Sequence, residues 1–186
     1  MICGIDEAGR GPLAGPVCAA AVILPPDFPI EILNDSKKLS APRRAAARLV
    51  ICEKAVAWGI GWASAAEIDE INILQASLLA MKRAWEEMVL FRPVDGVEAI
   101  IDGLFAPDIP IPCKPMVKAD AKVPEVMAAS ILAKTARDRM MERYDWFYPE
   151  YGYEKHKGYP TKAHREAVLR YGPSPIQRMS FTVKKP

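Results

Sequence analysis

Apolar positions fall along the chain in short β-prone runs and in longer stretches with helical spacing. A short run of branched or small apolar residues that ends at a charge, a glycine or a proline is typical of a strand. Five such runs predict the strands of one sheet. They cover residues 2–6, 17–24, 60–63, 97–102 and 116–118.

Helical spacing and end signals predict four helices between and after these strands. The clearest begins at Ser64, where Glu67 completes a capping box, and extends to Phe91 with a break near Asn72. Strands interleaved with helices indicate a single α/β domain over residues 1–186 with a short basic tail. The four helices are predicted over residues 40–57, 64–91, 123–144 and 161–171.

Composition narrows the class of protein without identifying a function. Of the 186 residues, 51% are hydrophobic and 26% are charged, a balance typical of a soluble globular domain. No apolar run approaches the roughly 18 residues that span a bilayer. Because the N-terminus also lacks signal-peptide features, we expect a cytoplasmic protein without membrane contact. The four cysteines form no Cys-x-x-Cys pair and are expected to be small buried hydrophobes.

Charge is distributed unevenly although the net charge is only +2. Residues 1–113 carry 10 Lys and Arg against 15 Asp and Glu, a net of −5, whereas residues 114–186 carry 15 against 8, a net of +7. A basic half favours a polyanionic partner such as nucleic acid. Solvated helix faces would give the same distribution, so charge alone leaves both interpretations open.

Four acidic residues fall where predicted strands end. Asp6 and Glu7 close the first strand, Asp102 closes the fourth, and Asp120 follows the fifth. Ligand sites in open α/β sheets gather at the carboxyl ends of strands, so these side chains can converge. Converging carboxylates repel one another unless a cation neutralises them, and Mg²⁺ and Mn²⁺ prefer oxygen ligands. Each acid is also explained as a turn or cap residue, so the residues alone leave the metal site open.

A glycine-rich turn follows the first strand. Residues 9–14 formally match the dinucleotide-binding pattern G-x-G-x-x-A, but Pro12 removes a needed N–H and a strand follows instead of a helix. Gly9 and Gly11 could instead let a nucleic-acid backbone approach, so that exposed peptide groups bind a ribose 2′-hydroxyl. Arg10 could then hold a phosphate. A tight turn with Arg10 in solvent is the alternative.

Five segments stand in a fixed order over residues 4–165. They are GIDEAGRGPLAGP at 4–16, DSKKL at 35–39, IDG at 101–103, KADAKVPEVMAASILAK at 118–134 and HKGYPT at 156–161. In this order they resemble the motifs of the bacterial ribonuclease HII family, with one small departure at Ala119, where many members have glycine.

The resemblance implies a ribonuclease H-like fold, a mixed five-stranded sheet flanked by helices. It implies that Asp6, Glu7, Asp102 and Asp120 are the catalytic carboxylates and that they bind Mg²⁺ or Mn²⁺, as two ions. The expected activity is hydrolysis of the RNA strand of RNA–DNA hybrids. Cutting on the 5′ side of single ribonucleotides embedded in DNA would leave 3′-hydroxyl and 5′-phosphate ends and remove misincorporated ribonucleotides.

Substrate contacts also follow from the resemblance. Gly9, Arg10 and Gly11 would read the 2′-hydroxyl, and Tyr159 would stack on the sugar at the RNA-to-DNA junction. The lysines of the polar loop and of the long third helix are expected to contact phosphates, and we expect a monomer without an obligate protein partner. These lysines are Lys37, Lys38 and Lys134.

Two alternatives remain open in the sequence. His156 and His164 could cleave RNA without metal by deprotonating the 2′-hydroxyl and protonating the leaving oxygen, a route insensitive to chelators. A non-catalytic module that binds RNA–DNA hybrids or structured RNA would bind without cutting. Asp138 is expected to pair with Lys134 four residues earlier, and a role behind the metal ligands is its alternative.

Overall fold

One mixed sheet of five strands organises the protein, in the order β3-β2-β1-β4-β5. The computed structural model describes residues 1–34, 36 and 39–184. Strand β1 is antiparallel to β2 and parallel to β4, β2 is antiparallel to β3, and β4 is parallel to β5. The strands are β1 (Ile2–Ala8), β2 (Val17–Ile23), β3 (Ala57–Ala63), β4 (Glu98–Asp102) and β5 (Cys113–Met116). The expected mixed five-stranded sheet is therefore confirmed.

Five α-helices accompany the sheet in the described residues: α1 (Ala41–Lys54), α2 (Ala65–Phe91), α3 (Pro124–Phe147), α4 (Tyr153–His156) and α5 (Lys162–Tyr171). The capping box of α2 is present, with the Ser64 side chain accepting from the Glu67 N–H and the Glu67 carboxylate accepting from the Ser64 N–H. The predicted break is a residue with φ of 68°, Asn72. These features confirm the end signals read in the sequence.

Several boundaries differ from prediction. Strand β1 continues past Asp6 to Ala8, because Glu7 and Ala8 still pair with β2. Strand β3 already begins at Ala57, and α3 continues to Phe147. Helix α1 ends at Lys54 rather than near residue 57, because Ala57 already pairs with Ile23 in the sheet. The fifth strand is Cys113–Met116 rather than 116–118. It is an edge strand, where a proline is tolerated, and the chain turns at Lys118 with φ of 59°. The four-residue helix α4 was not predicted, since it is too short to show a hydrophobic period.

The two faces of the sheet bury separate apolar clusters. On one face, alternate residues of β1, β2 and β4 pack with α2. On the other, the intervening residues of β2 pack with α1 and α3. Glycines set the closest approaches: a Cβ at Gly61 would lie 2.0 Å from the Ala80 carbonyl oxygen of α2, and one at Gly4 would lie 2.1 Å from the Glu125 carbonyl carbon of α3. No helix of the described chain is long and apolar enough to cross a membrane.

Candidate active site

Three carboxylates meet on the α3 side of the sheet, where β1 and β4 end. The strands are parallel neighbours with Ile5 opposite Ile101, so Asp6 and Asp102 follow side by side. Asp120 lies in a short 3₁₀ turn after β5, and this turn is tied to the strand because the Ala119 N–H donates to Asp102 Oδ1 at 2.8 Å. One carboxylate oxygen from each of the three aspartates lies within 4.8 Å of the other two.

The cluster is electrostatically costly as it stands. Asp6 is only 5% exposed, and burial, together with the nearby Glu7 and Asp102 carboxylates, raises its pKa well above its usual range. The pKa of Glu7 is also raised, by burial first, although Arg10 opposes the shift. A hard divalent cation would offset both the desolvation and the repulsion. The donor set consists of carboxylate oxygens only and therefore fits Mg²⁺ or Mn²⁺.

Glu7 occupies a different position from the three aspartates. It does not belong to the close triad, and its carboxylate is paired with the Arg10 guanidinium at 3.4 Å. It nevertheless lines the same cavity of about 390 Å³ as Asp6 and Asp102. The structure thus brings three predicted carboxylates together and leaves the fourth in the wall of the same cavity.

The raised pKa of Asp6 predicts how the metal-free protein responds to pH. Between the usual aspartate pKa of 3.8 and the raised folded value, the folded state binds more protons than the unfolded state, so stability falls as pH rises. Replacing Asp6 with asparagine should flatten this fall and stabilise the metal-free protein at neutral pH, with each unit of pKa shift corresponding to about 1.4 kcal/mol.

Urea unfolding in chelator, followed by circular dichroism at several pH values from about 5 to 8, measures this slope. The matched control is Asp108→Asn, since the Asp108 side chain is fully exposed. An Asp6→Asn protein that is less stable than wild type at neutral pH would contradict the prediction.

The glycine turn is shaped mainly by a buried arginine. Gly9 has φ of +98°, and a Cβ there would lie 2.0 Å from Nε of Arg137, a residue only 1% exposed. Gly9 is thus needed for the left-handed backbone and for the approach of Arg137. At Gly11 a Cβ would meet only Tyr159 Cε1, at 3.8 Å, so this part of the turn is open to a ligand.

Tyr159 and Lys134 also line this cavity. Tyr159 is 40% exposed, with Lys134 Nζ 5.8 Å and Arg137 Cζ 5.9 Å from its ring centroid. Lys134 pairs with Asp138 at 2.8 Å, the predicted i, i+4 contact. Lys37 and Lys38 lie outside the described residues.

Sequence reasoning missed several residues that build the site. Ser36 and Ser130 are buried and their hydroxyls are 2.8 Å apart, which joins the loop before α1 to α3 beside Asp6. Arg137 and Arg178 are buried, and both donate hydrogen bonds to backbone carbonyls of the glycine turn and of the residues next to it. The two serines lie within the segments at 35–39 and 118–134 that resemble family motifs, but nothing in the sequence distinguishes the two arginines from arginines on the surface.

The two histidines form a structural pair. Their rings stack with centroids 4.5 Å apart. His156 bonds the Tyr151 carbonyl at 2.9 Å through Nε2, and His164 bonds the Tyr159 carbonyl at 3.0 Å through Nδ1. Burial lowers the pKa of both, and His164 is fully buried. Neither lines the carboxylate cavity, so the geometry gives no support to metal-free cleavage by this pair.

Comparisons with known proteins agree with this geometry. A family profile described as Ribonuclease HII matches residues 3–184. The chain is 60% identical to a Treponema denticola protein named Ribonuclease HII, with 99% of each chain covered. It is 52% identical to one from Vibrio parahaemolyticus, covering 100% of this chain and 86% of the relative.

Solved structures show the same fold. An Archaeoglobus fulgidus RNase HII, solved in complex with PCNA, superposes with a TM-score of 0.77 at 27% identity and covers 100% of this chain and 97% of its own. A Bst-RNase HIII solved with Mn²⁺ gives the same TM-score at 18% identity, covering 98% of this chain and 67% of its own.

Proposed function

The chain belongs to the ribonuclease HII family of metal-dependent endoribonucleases, and from that premise we propose which bond it cuts and how. Its substrates are RNA–DNA hybrids and DNA duplexes that contain a single ribonucleotide, cut on the 5′ side of that ribonucleotide. Such cleavage begins the removal of misincorporated ribonucleotides. The supporting observation is one cavity that combines clustered carboxylates with an open glycine turn.

The four carboxylates hold the metal. Asp6, Asp102 and Asp120 present oxygens close enough to share a cation, and Glu7 adds a fourth carboxylate that lines the same cavity as Asp6 and Asp102. One carboxylate oxygen of Asp102 accepts a hydrogen bond from the Ala119 N–H, and this bond orients the second oxygen. When two Mg²⁺ or Mn²⁺ ions are bound, the chemistry they supply is Lewis acidity, which activates a water and stabilises the leaving 3′-oxygen. The products are a 3′-hydroxyl and a 5′-phosphate.

The remaining residues select and orient the nucleic acid. Gly11 leaves the turn accessible, so its peptide groups can bind a ribose 2′-hydroxyl next to the carboxylates. Arg10 is half-exposed, and its ion pair with Glu7 positions its guanidinium. In this position Arg10 can bind a phosphate. Tyr159 offers a ring face opposite this turn for the neighbouring sugar. Lys134 brings positive charge to the same cavity.

All of these groups come from one chain, so we propose that a monomer is active. The PCNA complex of the archaeal relative is a property of that protein. For this chain we propose no obligate protein partner.

The test is cleavage of an end-labelled DNA duplex that contains one ribonucleotide. With Mg²⁺ or Mn²⁺ we expect a single cut 5′ to the ribonucleotide, with a 3′-hydroxyl and a 5′-phosphate, and with EDTA we expect none. An all-DNA duplex is the control for contaminating nuclease, and a long RNA–DNA hybrid tests the second substrate class. Binding without cutting, or a cyclic phosphate product formed in EDTA, would contradict the proposed function.

A further inference from the structure

Arg178 is a buried cation whose hydrogen bonds all go to backbone oxygens within the described residues. It is fully buried in the segment after α5, and its guanidinium donates to the carbonyls of Gly9 at 2.6 Å, Arg10 at 2.9 Å and Gly15 at 2.9 Å. No salt bridge to Arg178 exists within the described residues. Removing a charge from water costs several kcal/mol. The attraction of the Asp69 carboxylate and the three carbonyl contacts offset part of this cost, and the three carbonyls take the directed hydrogen bonds of the guanidinium.

The segment that carries Arg178 is anchored on both sides of it. Before it, the Gly15 N–H donates to the Ile176 carbonyl at 2.8 Å. After it, Asp69 of α2 accepts from the N–H groups of Met179 at 2.8 Å and Ser180 at 2.9 Å. The guanidinium is therefore held in place by its own segment, and the glycine turn is fixed against it.

The carbonyls that Arg178 binds determine where two N–H groups point. In a trans peptide the C=O and the N–H are directed oppositely, and the described chain contains no cis peptide. The bond to the Gly9 carbonyl therefore directs the Arg10 N–H away from the guanidinium, and the bond to the Arg10 carbonyl does the same for the Gly11 N–H. Within the described part of the chain, neither N–H has an acceptor.

We infer that Arg178 is a positioning residue for ribose recognition: by holding the carbonyls of Gly9 and Arg10, it aims the N–H groups of Arg10 and Gly11 at the substrate. This inference rests on the proposed function. Arg137 supports the same turn from α3, with donations to Ala14 at 3.1 Å and Pro16 at 2.9 Å. The turn is thus held by two planar guanidinium groups in addition to the glycines that its backbone requires.

The test compares two duplexes that differ in a single 2′-hydroxyl. Their Kd values for the whole protein are measured in EDTA, where cleavage does not interfere, and the readout is the ratio of the two. Arg178→Lys keeps the charge but loses the planar fork, and Arg178→Gln keeps one donor without the charge. We expect either variant to reduce the ribonucleotide preference by about 10-fold, because a hydrogen bond contributes about 1.4 kcal/mol.

Two controls separate positioning from stability. Met88→Ala removes a fully buried side chain of α2. Arg170→Lys replaces an exposed guanidinium of α5 with an ammonium group, the change that Arg178→Lys makes in the buried position. Both should keep the wild-type ratio, since a merely destabilised protein loses affinity for both duplexes alike. The Kd values are compared at a temperature at which circular dichroism shows that the variants are folded.

A folded Arg178 variant with the wild-type ratio would overturn the inference, as would loss of folding in both variants, which would assign the residue to stability alone. If the wild-type protein cuts at the ribonucleotide but shows no binding preference, the inference fails and the nuclease function stands. If the wild-type protein neither cuts nor discriminates, the proposed function itself fails.

Discussion

Replacing Asp102 with asparagine is expected to reduce cleavage by about 1000-fold, the scale on which a charge that stabilises the reacting phosphate contributes to catalysis. The fold should survive, because the asparagine Oδ1 can still accept the hydrogen bond that the Ala119 N–H donates to Asp102 Oδ1 at 2.8 Å. The substitution also removes one negative charge beside Asp6, which relieves repulsion. Lost activity with retained stability is therefore the expected combination.

Initial rates on the single-ribonucleotide duplex at saturating Mg²⁺ and at saturating Mn²⁺ measure the activity, and thermal unfolding measures the stability. The matched control is Asp108→Asn, a fully exposed side chain that pairs with Lys82 at 3.4 Å on the surface. It should cut at the wild-type rate. Turnover by Asp102→Asn close to wild type would remove Asp102 from the metal site.

Replacing Gly4 with alanine is expected to cost about 3 kcal/mol or more of stability, because over-packing against backbone atoms cannot be relieved by a rotamer change. The new Cβ would lie 2.1 Å from the carbonyl carbon of Glu125 and 2.2 Å from the nitrogen of Val126. Helix α3 must therefore move away from β1. Because α3 carries Ser130 and Lys134 beside the carboxylates, activity should fall together with stability.

Urea unfolding gives the loss of stability, and cleavage assays at a temperature where the variant is folded give the activity. Gly96→Ala is the control, since a Cβ there meets nothing within 4 Å and only the positive φ of 63° is strained. That strain should cost about 1 kcal/mol. A Gly4→Ala protein that unfolds at the same urea concentration as Gly96→Ala would show that α3 accommodates the methyl group.

The sequence predicted those parts of the fold that depend on local signals. The capping box at Ser64 and the cap at Thr161 are local, and both helices begin where expected. The end of β5 was misplaced because its pairing with β4 is long-range and outweighs the local effect of Pro115. At an edge strand one proline is accepted, so Pro115 lies within β5 although the strand was predicted to begin after it.

For the site, the predictable part was again the part that strand order determines. Asp6 and Asp102 follow the paired residues Ile5 and Ile101 of two parallel neighbours, so their proximity follows from the topology. The roles of Arg137 and Arg178 could not be predicted, because an arginine that binds carbonyls has no spacing or partner type to reveal it. Gly9 was interpreted as room for a ligand, and the structure shows that Arg137 needs this room. The contacts proposed for Lys37 and Lys38 stay predictions.

The contact between Arg178 and the Gly9 carbonyl joins residues 169 positions apart. The ribosome synthesises the glycine turn among the first residues of the chain and Arg178 among the last. A chain released by a premature stop at residue 170 would contain the whole sheet and Arg137, but it would lack Arg178, the second arginine that holds the turn. On the role that we infer for Arg178, the preference for a ribonucleotide would therefore depend on residues that are translated last.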